Sequence, residues 1–311
     1  MRTVHRAMQD AGIPSHDLAP PPPSSARFPD GAHYRIEIAG VERLSTLEAM
    51  VQESERRHSP VHRIIASVAG SVYLERQELY DMAQLAAERR IEVIMTPGPQ
   101  RGMDTGRQFT TPEGLVSGMR VRGQDTLAFV VKEILRCAEA GFRGFLVTDE
   151  GLLWLLNRMR EQGDLPPDTL LKVSVFAGHA NAAGCKVMEM LGAGSINPLA
   201  DLSVPMLSAI RQAIRVPMDI YIMLVRAMGG FNRSYEAADL ARACAPCYFK
   251  FEPGESEAAI YAPWNDEAYH IHMVREKMRY VSIVNELVAE LGPDIVLSGA
   301  GPADLAVPRP A

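Results

Sequence analysis

The sequence predicts a closed barrel of eight parallel strands, each followed by a helix, and three observations carry that prediction. Short segments rich in Val, Ile, Phe and Tyr alternate with longer stretches whose apolar residues recur every three or four positions. The alternation repeats eight times between positions 33 and 291, at a spacing of about thirty residues. Within several strands polar and apolar residues also alternate, as with Tyr248, Lys250 and Glu252 against Phe249 and Phe251, which places a polar row opposite the face that meets the helices. Such a pattern fits a (β/α)8 TIM barrel better than an open doubly wound sheet.

Residues 1–32 precede the barrel as an arm. A short helical pattern gives way to Pro20, Pro21, Pro22 and Pro23 and then Ser24 and Ser25, a composition that favours extended polyproline conformation. The first strand begins at His33 in HYRIEIAGV, where Ile36 and Ile38 alternate with Arg35 and Glu37, and a helix over 45–57 follows. VHRIIASVAG (61–70) leads into a helix over 75–90, and IEVIMTPGP (91–99) into one over 126–140. Between these last two lies a long glycine-rich excursion, 100–124, of the kind that is functional or disordered in compact domains.

FRGFLVTDEG (142–151) runs into LLWLLNRMREQG, and LLKVSVFAGHA (170–180) into a helix over 181–191. A short sixth strand at Ser195 precedes a helix over 204–214, which the Ser203 hydroxyl is placed to cap. MDIYIML (218–224) is followed by a helix over 234–244, CYFKFEP by a long amphipathic stretch over 266–291. Residues 292–311, rich in Gly, Pro and Ala, read as a flexible tail.

Composition narrows the function classes. A chain of 311 residues, 47% hydrophobic, is long enough to bury a large core. Its 32 Lys and Arg against 38 Asp and Glu give a net charge of −6 without long blocks of either sign, so there is no nucleic-acid footprint. No apolar run approaches the roughly 18 residues that span a bilayer, and the N-terminal residues lack the apolar core of a signal peptide. A cytoplasmic protein is expected. Four cysteines, Cys137, Cys185, Cys244 and Cys247, are too few and too unevenly spaced for a disulfide framework.

In barrels of this type the reactive groups lie at the C-terminal ends of the strands and in the loops after them. The strand ends are Glu37, Ser67, Thr96, Asp149, Glu150, His179, Asn197, Tyr221, Lys250 and Glu252. Arg35, Lys172 and Lys250 balance Glu37, Asp219 and Glu252, and buried charges persist only when paired, so part of this set is packing. Lys250 has two readings. With its pKa lowered by burial it is a Schiff-base nucleophile, with Tyr221 or a carboxylate moving the proton; still charged, it anchors a carboxylate or phosphate.

Glu37 and Glu252 stand on the first and last strands, neighbours across the seam, with Glu37 expected beside Lys250. With His179 they have the donor types for a divalent metal, although no local motif enforces the geometry. His179, in GHAN, has room to act as acid, base or ligand, and of the adjacent Asp149 and Glu150 alternation favours Glu150 for the site. His58, His62, His270 and His272 read as surface. Arg101 in the long loop, with Asp104, Arg107 and Arg122 around it, and Arg226 and Arg233 about the Gly229-Gly230 turn suit an anionic substrate that Asn197 and Tyr221 also touch. Cys244 and Cys247 have CxxC spacing but lack a second ligand pair and fall on the face opposite the expected site.

At HYRIEIAGVE, LVTDEGLLWLL, KVSVFAGHANAAG, SINPLADLSVPMLSAIRQAIRVPMDIYI and YFKFEPG the chain resembles bacterial TIM-barrel proteins of peptidase family U32, the collagenase-like group. The resemblance runs over about residues 28–285 in order and spacing. It implies the barrel, a site at Glu37, Glu150, His179, Asn197 and Lys250, and peptide hydrolysis as one activity. The wider group includes subunits that hydroxylate quinone precursors or RNA with iron-sulfur clusters held by four cysteines. Here Cys137 and Cys185 fall on predicted helices and only Cys244 and Cys247 are close together, so no such cluster is expected. Nor is there a serine, cysteine or metal constellation for hydrolysing peptides.

Two functions of different class follow. One is an enzyme acting on a small anionic carbonyl compound by acid/base chemistry of lyase or isomerase type. The other is a non-catalytic ligand-binding or partner subunit, assembling with itself or another chain through the arm 1–32.

Overall fold

A computed structural model describes residues 2–98, 111 and 120–310. Eight parallel strands close into a barrel in chain order: β1 (Tyr34–Ala39), β2 (Arg63–Ala66), β3 (Glu92–Met95), β4 (Gly144–Val147), β5 (Leu170–Val173), β6 (Ser195–Ile196), β7 (Met218–Met223) and β8 (Cys247–Phe251). After the arm helix α1 (Arg2–Asp10), the barrel helices are α2 (Leu44–Arg57), α3 (Arg76–Glu88), α4 (Gln124–Glu139), α5 (Glu150–Gln162), α6 (Ala182–Met190), α7 (Val204–Ala213) and α8 (Ala237–Cys244). A single turn, α9 (Glu257–Ile260), precedes the closing helix α10 (Glu267–Leu291). Among the described residues no helix is long and apolar enough to cross a membrane.

Strand alternation divides two interiors. Ile36, Ile38, Phe249 and Phe251 face outward into one continuous apolar core with Leu47 and Met50 of α2 and Val274, Met278 and Val281 of α10. The opposite row fills the lumen in three levels. At the N-terminal end Arg35 stands beside Tyr248; in the middle lie Arg63, Glu37, Glu92, Lys172, Ser195 and Asp219; at the C-terminal end Lys250 and Tyr221 meet apolar Ala39, Ile65, Ile94 and Leu146.

The middle level is an ion network without water access. Arg63 donates to Glu92, to Glu37 at 3.2 Å and to Asp219 at 2.7 Å, and its guanidinium lies 3.4 Å over the Tyr248 ring. Lys172 sits 3.0 Å from Glu37 and 2.5 Å from Asp219. Lys172 and Asp219, two members of the balanced charge set read from the sequence, are paired with each other here. Arg63 and Glu92 complete the network and were not among the sequence candidates.

The segment 292–310 is not a flexible tail. It crosses the N-terminal end of the barrel, bridges Tyr34 through Leu297, and brings Asp304 to Arg35 with hydrogen bonds of 2.7 and 2.9 Å. Ala306 N–H donates to Glu92 at 2.9 Å, and Arg309 N–H to the Gly141 carbonyl at 2.7 Å. The composition signalled no periodic structure, and no helix or strand forms; backbone groups and the side chains of Asp294, Ser298, Asp304 and Arg309 fix the segment instead.

His62 is the clamp beneath it and is fully buried rather than on the surface. Its Nδ1 accepts from Ile36 N–H at 3.0 Å, which leaves Nε2–H to donate to the Ser298 and Gly299 carbonyls. Burial pushes its pKa down to about 4, so the ring is neutral. His270 is also buried, bonded to Ala262 O at 3.0 Å. His58 and His272 are exposed.

The arm lies on its own barrel. Ser24 Oγ donates to Ala245 O at 2.6 Å, Phe28 stacks edge-on against Tyr248, and Ile13 and Pro14 share a cleft with Ala182 and Met206. Ser203 is the N-cap residue of α7, but its side chain makes no capping bond.

Candidate functional site

The C-terminal ends of β7 and β8 bring three of the sequence candidates together. Tyr221 and Lys250 are register partners, and Glu252 projects to the same side as Lys250, two residues on. Lys250 Nζ donates to Tyr221 Oη at 2.7 Å and lies 3.0 Å from Glu252 Oε2, and Tyr221 Oη donates to the same oxygen at 3.1 Å. All three are buried. Burial pulls the Lys250 pKa down, but the charges around it, Glu252 first, outweigh this and hold it well above the usual lysine range. These charges favour the ammonium form of Lys250, the form that the anchoring reading uses, whereas the Schiff-base reading needs a lowered pKa. Burial raises Tyr221 well above the ordinary phenol range, so it is neutral.

Glu37 does not join this cluster. Its backbone is in register with Lys250, yet its carboxylate turns to Lys172 and Arg63 one level below. The expected Glu37 to Lys250 contact is therefore absent from the ion pairs, and Lys250 takes Glu252 as its partner. Glu37, Glu252 and His179 are not gathered for a metal either: among the described residues no group of three or more His, Cys, Asp or Glu is placed to hold one.

Two residues missed in the sequence border the cluster. Lys277 of α10 is buried, donates to Ala39 O at 2.6 Å at the end of β1, and has its pKa pushed down to about 8 by burial. Gly40, at φ +74°, makes room for it, since a Cβ there would stand 2.8 Å from the ammonium nitrogen. Glu42, in the same loop, accepts from Val68 N–H at 2.8 Å, and burial raises its pKa to about 8, so it carries its proton in neutral solution. The available signal was a lysine on the apolar face of the closing helix, among Val274, Met278 and Val281.

A second polar group lies at β4 and β5. Asp149 caps α5 by accepting from Leu152 N–H at 3.0 Å, which leaves Glu150 to pair with Arg120 and to approach His179 Nε2 at 3.7 Å. Burial lowers the His179 pKa against the pull of Glu150. Burial opposes ionisation of Glu150, but its own backbone N–H, Arg120 and His179 together hold it below the usual carboxylate range.

Asn197, at the end of β6, donates to Asp219 O at 2.9 Å. Arg233 is bound to Glu236 at 2.7 Å and to Leu202 O at 2.9 Å, while Arg226, at the Gly229-Gly230 turn, is exposed and 3.6 Å from Glu255. Arg101, Asp104 and Arg107 lie outside the described residues. Cys244 and Cys247 are buried at the opposite end, and burial pushes the Cys244 thiol up to about 12. Glu133 of α4, another unforeseen residue, ties the loops after β2 and β3 together by accepting from Ser71 N–H at 2.5 Å and Gly98 N–H at 2.9 Å.

No family model matches the sequence, and no match is found among curated proteins. Solved structures do match the fold. The YdjI aldolase from Escherichia coli K12 is 13% identical, with 84% of this chain and 93% of that chain covered and a TM-score of 0.50. The U32 peptidase Mk0906 is 16% identical over 75% and 98%, at a TM-score of 0.43. D-psicose 3-epimerase with D-tagatose from Clostridium cellulolyticum H10 is 9% identical over 82% and 99%, at 0.46. The chain is thus similar in fold to a functionally mixed set of TIM-barrel proteins that includes a U32 peptidase.

Proposed function

We propose that the protein is an enzyme that moves protons on a small carbonyl compound, with chemistry of the lyase or isomerase type, at the C-terminal mouth of the barrel. The observation that carries this reading is the buried Lys250, Tyr221 and Glu252 cluster at 2.7 to 3.1 Å. A carboxylate, a phenol and an ammonium in mutual contact form a base, a relay and a fixed positive charge. Glu252 takes a proton from the carbon next to the carbonyl. The electron pair moves onto the carbonyl oxygen, whose growing negative charge the Lys250 ammonium balances. In an α-hydroxy carbonyl compound, returning the proton to the former carbonyl carbon while the α-hydroxyl passes its proton to the enolate oxygen isomerises the compound; if Glu252 instead takes the proton of a hydroxyl on the β carbon, that carbon becomes a carbonyl, the bond between the α and β carbons breaks, its electron pair goes to the enolate, and the reaction is a lyase. Tyr221, bonded to both partners, carries a proton between Glu252 and the substrate oxygen.

The test is deuterium wash-in from heavy water, read by mass spectrometry over a panel of aldehydes and ketones. Exchange is expected with at least one compound, falling roughly a hundredfold or more in Glu252→Gln and Lys250→Met, the usual contribution of a placed acid or base. Circular dichroism of both variants should match the parent. A folded Lys250→Met protein with full exchange would remove Lys250 from the mechanism, and a parent protein that exchanges none of the panel would sink the reading.

A further inference from the structure

Three strand ends carry a second kind of signal. Ser67 after β2, Thr96 after β3 and Asn197 after β6 are each at most 5% exposed, and among the described residues their side-chain oxygens have no hydrogen-bond partner. Buried polar groups are nearly always paired, so unpaired ones gathered at one end of a barrel need a cause. Thr96 and Asn197 continue the inward rows of Ile94 and Ser195, and Ser67 follows Arg63 and Ile65. All three lie on the end of the barrel that carries Lys250 and Glu252.

The atoms are two hydroxyls and one amide oxygen. None of the three carries charge, and Glu252 at the same end leaves one carboxylate oxygen, also an acceptor, without a partner among the described residues. Described cations at this end have partners: Lys250 has Glu252, Lys277 has Ala39 O, Arg120 has Glu150, Arg233 has Glu236 and the exposed Arg226 has Glu255 at 3.6 Å. A ligand held by neutral oxygens must itself supply several hydroxyl donors, whereas a phosphate or carboxylate calls for cations or N–H groups. The loops at the same end also present an exposed aromatic pair, Tyr73 and Trp264, with ring centroids 5.3 Å apart. Flat aromatic faces pack against the C–H face of a sugar ring or chain.

We infer that the ligand of this mouth is an uncharged polyhydroxylated compound, a ketose, an aldose or the related polyol, bound through the free oxygens of Ser67, Thr96 and Asn197. This deepens the acid/base reading and rests on it for the carbonyl, but the hydroxyl contacts stand independently of proton transfer. It differs from the anionic substrate expected from the loop arginines, of which Arg101 and Arg107 lie outside the described residues.

Titration calorimetry of the full chain with D-fructose, D-glucose, sorbitol, fructose 6-phosphate and pyruvate tests it. One or more of the three neutral compounds should bind, fructose 6-phosphate should bind no tighter than fructose, and pyruvate should bind at least tenfold more weakly. Thr96→Val, which removes only the hydroxyl, should weaken neutral-sugar binding about fivefold without lowering the thermal midpoint. Binding of pyruvate or the phosphate ester alone, equal affinity in Thr96→Val, or no binding of any neutral compound would overturn the inference. Sorbitol or sugar binding without deuterium exchange would sink the acid/base reading while upholding this one; exchange into pyruvate alone would do the reverse.

Discussion

Replacing Arg63 by methionine should cost about 3–5 kcal/mol of stability, the loss found when one partner of a buried ion network is removed. The middle level of the lumen holds three carboxylates, Glu37, Glu92 and Asp219, against two cations, Arg63 and Lys172. All five side chains are at most 1% exposed, so water cannot take over the missing contacts. Without Arg63 three carboxylates face Lys172 alone, and Glu92, which touched no other cation, keeps only the Ala306 N–H. Protonating a carboxylate relieves the imbalance, so the loss should be greater at pH 8 than at pH 5. Urea unfolding followed by circular dichroism at both values measures it. Adding Glu92→Gln to Arg63→Met should recover part of the loss, since the two sites share one network. A loss under about 1 kcal/mol at pH 8, or one that does not change with pH, would refute the claim that this network is held by its charge balance.

Two buried groups set a pH dependence of opposite sign. The raised Glu42 pKa means that the folded state keeps a proton the unfolded chain releases, so stability falls as pH rises from about 4.5 to about 8; Glu42→Gln should remove that falling limb. Lys277, lowered from 10.5 to about 8, gives up its proton earlier in the folded state, so stability rises between those values, and Lys277→Met should abolish the rise in urea midpoints measured from pH 8 to pH 10.5. Ending the chain at Leu291 strips Arg35 of Asp304, Glu92 of Ala306 and His62 of its two carbonyls, and a thermal midpoint within a degree of the full chain would show that the C-terminal segment is no part of the barrel's closure.

The barrel was legible because short β-branched and aromatic segments, several with two-residue alternation, take turns with stretches of three- and four-residue spacing, as at Tyr248 to Glu252 and along α10. The site was legible only in part. Lys250, Tyr221 and Glu252 were placed on one side by parity, and parity is a local rule. Which carboxylate would meet which cation depended on Arg63, whose role a strand of mostly apolar neighbours in VHRIIASVAG conceals. The C-terminal segment was misjudged for a related reason: its hold on the barrel comes from scattered contacts to Arg35, Glu92 and Gly141, and such contacts leave no periodic trace.

The register also explains why Lys250 is available at the mouth. Glu37 stands beside Lys250 on the neighbouring strand, but Arg63 on its other side and Lys172 across the lumen already claim its carboxylate at 3.2 and 3.0 Å. Lys250 then pairs with Glu252, a residue of its own strand one level nearer the opening. Two levels of charge result from one alternating pattern. The lower is closed on itself by Arg63, and the upper ends in a carboxylate shared by a lysine and a tyrosine. A strand that alternates polar and apolar residues into the loop after it, as the chain does from Tyr248 to Glu252, thereby supplies the packing of the barrel at one end and the buried Lys250–Glu252 ion pair at the other.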